Sequence, residues 1–209
     1  MGPDYSWAIF PLSLEFSVNY LILGLIVFLG VHSIRIVADD WRERTIVRGG
    51  ELRWKGLYSA ASLLGLGLLV WGFGLARQQP MQLWSPPAGM RHLAALLTLG
   101  SFVLLAAAYV PGNAIKARLH HPMVLAVKVW ALAHLLANGN LAHVLLFGSF
   151  LLWSVFDFTA ARRRDRSGNI QYRRGNAGAT AITVVVGLGA WLAFTLWLHG
   201  MLIGVRPFG

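Results

Sequence analysis

The chain has 209 residues, 56% of them hydrophobic and only 12% charged. That is about half the charge of an ordinary soluble domain. Eighteen Lys and Arg against eight Asp and Glu give a net charge of +10, and there is no cysteine. The missing cysteine excludes disulfides, thiolate metal sites, iron–sulfur clusters and covalently attached haem. The apolar content turns the basic balance away from nucleic acid and toward positive charge gathered on one side of a lipid bilayer.

A helix needs about 20 mainly apolar residues to cross about 30 Å of hydrocarbon. Continuous apolar runs predict six spans in chain order, at about 18–37, 56–75, 93–110, 122–137, 141–158 and 179–199. The fourth and fifth are joined only by Asn138-Gly139-Asn140, a helix stop and tight turn. The expected fold is an all-α polytopic membrane helix bundle, one transmembrane domain over residues 1–209. A β-barrel is excluded because the apolar runs do not alternate with polar residues.

Charge predicts orientation. The loops after spans one, three and five hold thirteen Lys and Arg, whereas the opposite side holds Arg77, Arg91 and Arg206. The positive-inside rule then places both termini outside the cytoplasm. The first residues carry no basic leader, so the first span reads as an uncleaved signal anchor. Trp7, Trp84, Trp153 and Trp197 fall near span ends, where amphipathic rings favour the headgroup zone.

Ionisable side chains inside lipid are costly and mark functional candidates. His32 in span one, Lys128 and His134 in span four and Asp157 near the end of span five qualify. The Lys128 ammonium can snorkel to the headgroups, and Asp157 can pair with the arginines that follow it. His92, His120, His121 and His199 sit at span ends where water satisfies them, and His143 opens span five. His32 and His134 lie deeper, roughly 8 Å and 18 Å from the basic ends of their helices at the α-helical rise. Each could donate a helix–helix hydrogen bond, or the pair could ligate a non-covalent b-type haem.

Arg35 lies three residues beyond His32, placed to pair with a haem propionate. Trp130, His134 and Asn138 recur at four-residue spacing on one stripe. Gly65, Gly67, Gly72 and Gly74 in span two permit close approach of another helix or of a flat macrocycle.

The block Phe28–Ile36, followed by Trp41-Arg42, resembles the opening of the NnrU family. So do His121-Pro122-Met123, Lys128, Trp130 through His134, Asn138-Gly139 and Phe147 through Phe150. The resemblance covers nearly the whole chain. It implies a bacterial inner-membrane protein associated with denitrification, through production of nitrite and nitric oxide reductases. The same family looks related to cis-zeta-carotene isomerases, membrane proteins that bind haem b and isomerise a cis double bond. On that likeness His32 and His134 match axial ligands, and His121 matches a further histidine followed by proline. The isomerases carry a cysteine where this chain has Ala131, so thiolate-for-imidazole exchange cannot be transferred.

Leu119-His120-His121-Pro122 also resembles the Arg-His-Pro block of isoprenylcysteine-type methyltransferases, which use S-adenosylmethionine. Here no arginine stands directly before His121-Pro122, and no acidic pair follows. A third reading is a non-catalytic assembly partner of respiratory enzymes, docking through its arginine-rich loops. The expected partners are the lipid bilayer and a lipid-soluble small molecule, with no nucleic acid.

Overall fold

The computed structural model describes residues 12–208, with side chains from residue 18 onward. The N-terminal tail with Trp7 lies outside the described residues. Among the described residues every regular element is helical: α1 (Leu12–Val37), α2 (Asp39–Gly49), α3 (Glu51–Ala76), α4 (Met90–Tyr109), α5 (Ala114–Leu119), α6 (Pro122–Ala137), α7 (Leu141–Ser167) and α8 (Ala177–Ala193). A π-helical turn, Phe194–Leu198, then leads into α9 (His199–Ile203).

Among the described residues, five stretches are long and apolar enough to cross a membrane: Val18–Val37, α3, α4, α7 and Ala177–Ile203. The fourth predicted span falls short. As α6 it has 16 residues, about 24 Å at the α-helical rise, because Pro122 starts it and Asn138 stops it. The segment between α1 and α3, expected as a basic loop, is instead helical as α2. Gly50, at φ +87°, separates α2 from α3 in a conformation that suits only glycine.

The chain divides into two compact units. The first comprises the described residues up to Leu83 together with Asn140–Leu146. Its centre is the antiparallel pair α1 and α3. A Cβ added to Gly72 would lie 2.3 Å from the Leu21 nitrogen, and one on Gly24 2.4 Å from that of Leu69. One on Gly65 would lie 2.7 Å from the Phe28 nitrogen. Three glycines therefore set these backbones against each other, sealing Leu21, Leu25 and Leu69 between them. Gly67 and Gly74 face open space, so only half of the glycine set noted in the sequence serves this packing.

The second unit comprises Trp84–Gly139 and residues from Phe147 onward. Here α4 packs antiparallel to α6 and also against α8. The Ser101 hydroxyl of α4 donates to the Ala126 carbonyl of α6 at 2.8 Å, and the Trp191 indole of α8 donates to Thr98 at 3.2 Å. Gly187 of α8 lets Val103 approach, since a Cβ there would meet its α-carbon at 2.6 Å. Although short, α6 runs beside α4 from the His120-His121 link to the Gly139 carbonyl, which accepts from the Trp84 N–H at 3.1 Å.

Candidate functional site

Each deep histidine is set up the same way by its own helix. The His32 Nδ1 donates to the Phe28 carbonyl one turn earlier at 2.7 Å. The His134 Nδ1 donates to the Trp130 carbonyl at 2.9 Å. A carbonyl can only accept, so each Nδ1 holds the proton and each lone pair sits on Nε2. This is the tautomer that a metal-ligating imidazole takes, steadied by a carbonyl behind it.

The surroundings of both rings are aromatic. In the first unit, His32 lies 4.3 Å from Phe28 and 5.4 Å from Tyr58, centroid to centroid. In the second, His134 stacks on Phe147 at 4.5 Å and lies 5.3 Å from Trp130. Trp130 in turn meets Phe147 and Phe150 edge-on. Asn138 continues the stripe, its amide donating to the His134 carbonyl at 2.9 Å and closing the end of α6. Trp130, His134 and Asn138 thus come together as their spacing predicts.

Arg35 is exposed in the last turn of α1. The Lys128 ammonium lies over the Phe158 ring at 4.7 Å, one turn before Arg162 and toward the basic end of the helices. Asp157 pairs with Arg164 at 3.9 Å, as expected of an acid ahead of arginines. Among the described residues no group of three or more His, Cys, Asp or Glu is placed to hold a metal ion.

A cluster at the other end of α6 was not legible from spacing. The His121 Nε2 donates to Asp165 at 2.8 Å, and the Tyr172 hydroxyl donates to the same carboxylate at 3.2 Å. His120 Nδ1 lies 3.4 Å from Asp165, accepts from Arg162, and its ring stacks on Tyr172 at 4.0 Å. Water had been expected to satisfy both histidines; instead Asp165 accepts from His121 and Arg162 donates to His120. Partial burial, then the neighbouring carboxylate, pushes the Tyr172 phenol above its usual pKa.

This reach has a backbone cost. His120 sits at φ +69° and ψ −51°, with the His121 N–H donating to the Leu119 carbonyl at 2.9 Å. That is the rare, strained γ-turn, worth about 1–3 kcal/mol when a residue other than glycine adopts it. The one hint in the sequence was the paired histidine before Pro122, which keeps His121 out of the helix.

Long apolar helices that carry ionisable side chains, with arginines massed beyond their ends, define a multi-pass membrane protein in contact with the lipid bilayer. Residues 20–207 match the family described as NnrU protein. The chain belongs to that family. No curated protein and no solved structure matches it.

Proposed function

We propose that this NnrU-family protein binds haem b non-covalently and that the imidazoles of His32 and His134 would hold it. The observation that carries this reading is the shared tautomer. Two histidines inside apolar helices each commit Nδ1 to a carbonyl one turn back and keep the lone pair on Nε2. The donor set suits iron in a porphyrin: neutral nitrogens, aromatic neighbours and no thiolate. When bound, haem would supply a Lewis-acid or one-electron centre.

The chain's own residues would orient the ligands and exclude solvent. Phe28 and Tyr58 flank one imidazole, and Phe147 and Trp130 flank the other. The substrate class that fits is a small lipid-soluble molecule reaching the site through the bilayer, as in isomerisation of a polyene double bond. A place in denitrification, through production of nitrite and nitric oxide reductases, and residence in the bacterial inner membrane with both termini outside the cytoplasm belong to the same reading.

The test is an absorption spectrum of the purified protein, oxidised and reduced. A Soret band with the sharp reduced α and β bands of six-coordinate haem is expected. Substituting His32→Ala or His134→Ala should each convert or abolish it while helical content stays unchanged. Protein that remains colourless after expression with excess haem and after addition of haemin defeats the reading.

A further inference from the structure

The arginines at the end of α7 and in the segment that follows it have an architecture that topology alone does not require. Setting orientation needs only a count of positive charges near the membrane. A limp loop would serve. Here the segments that carry those charges are fastened to one another within the second unit. The Asn176 N–H donates to the Gly112 carbonyl at 2.9 Å, and the Ala114 N–H to the Thr180 hydroxyl at 2.9 Å. Gly175 lies so close to Ala114 that a Cβ would come within 2.2 Å of its nitrogen. Asp165 then draws His120 and His121, Arg162 and Tyr172 onto a single carboxylate, with the γ-turn at His120 held in place.

The outcome is an ordered face with unbalanced charge. Beyond Glu51 the sequence contains only two acidic residues, Asp157 and Asp165. Asp157 faces Arg164, and Asp165 spends its charge inward on the cluster. Arg118, Arg163, Arg166, Arg173 and Arg174 remain exposed on the fastened segments. Exposed Leu119 and Ile170 lie among them. Arginine forks match phosphate oxygens, and apolar side chains beside them suit the boundary between headgroup and acyl chain. The apolar part of α7 ends one turn before Arg162, which puts this face at headgroup level.

We propose that the basic end of the second unit is a binding site for the phosphate headgroup of an anionic phospholipid, assembled by the Asp165 cluster. The site lies at the start of α6, thirteen residues from His134, or about 20 Å along the helix. It stands whether or not haem is bound.

Native mass spectrometry of the full chain in mild detergent tests this, titrating phosphatidylglycerol against phosphatidylcholine of the same acyl chains. Wild-type protein should prefer phosphatidylglycerol by about fivefold or more. The combined Arg166→Gln, Arg173→Gln and Arg174→Gln variant should bring the two lipids to parity, and lysine at the same positions should keep a preference. Equal affinity of wild-type protein for both lipids overturns the proposal without recourse to any variant. A preference that survives the glutamine substitutions overturns the assignment to these arginines. Displacement of the lipid by millimolar inorganic phosphate identifies a site for soluble phosphate and overturns the lipid reading.

Discussion

The α1–α3 and α4–α6 pairs solve one problem in two ways. Lipid tails are as apolar as leucine, so apolar burial does not drive helices together within a bilayer. The α1–α3 pair answers with shape. Gly24, Gly65 and Gly72 present no side chain at three points of the contact and let backbone meet backbone there. The α4–α6 pair answers with a directed bond, Ser101 to the Ala126 carbonyl, set among the buried Ala107, Ala126, Ala131 and Ala133. Shape tolerates no added atom. A hydrogen bond tolerates substitution at the cost of that bond.

The comparison breaks most sharply at Gly72. A Gly72→Leu substitution would drive its Cβ into the Leu21 backbone, which cannot move aside as a side-chain tip can. The helices must separate, and a loss of about 3 kcal/mol or more is expected, the upper end for overpacking. Thermal melting of the purified protein, or its yield of folded material, reads this. Gly67→Ala is the matched control on the same helix, since nothing lies within 4 Å of a Cβ there. It should leave the melt unchanged or raise it slightly through helix propensity. Equal damage from both substitutions would mean that close approach is not what holds α1 to α3.

Removing the Asp165 charge should have the next largest effect. Asp165→Asn keeps the shape of the side chain but weakens the bonds from His121 and Tyr172 that tie the start of α6 to the end of α7 and the loop beyond. Bonds to an ionised partner are worth about 1.5–3 kcal/mol, so a loss of about 2 kcal/mol is expected. Hydrogen exchange should show it as faster opening of residues 114–125 and 168–176, with α1 and α3 unaffected. Uniform destabilisation of every helix would contradict a local tie.

These two sites also mark how far sequence reading reached. Hydropathy located all six apolar runs, because each carries its signal locally. Pro122 and the Asn138 turn also bounded α6 at 122–137 as the structure has it, but the polar stretch after Val37 was expected as a loop and is helical as α2. The Trp130, His134 and Asn138 stripe was legible because one helix carries it and the four-residue period fixes the face. Gly65, Gly67, Gly72 and Gly74 were equivalent in sequence. Which two meet α1 depends on the register with a second helix, and that is long-range information. The Asp165 cluster was hidden for the same reason: its members lie 44 and 45 residues apart, in segments that each read as loop or helix end.

The smallest predicted effect concerns Tyr172. Its phenol lies outside the spanning segments and is held above its usual pKa, first by partial burial and then by the Asp165 carboxylate and the bond it donates there. A raised pKa means that the folded state favours the protonated phenol more than the unfolded chain does. The stabilisation is therefore complete below the unfolded value near pH 10 and is lost as pH rises through the folded value. Wild-type protein should accordingly lose stability on going from about pH 9.5 upward more steeply than Tyr172→Phe, which has no proton to release. The variant should start slightly less stable at neutral pH, for want of the bond to Asp165, so the two curves should converge as the solution becomes alkaline. Melting followed by circular dichroism at several pH values measures the slopes. Parallel curves would show that Tyr172 ionises alike in folded and unfolded protein, and that the carboxylate hub is fastened by its histidines and Arg162 alone.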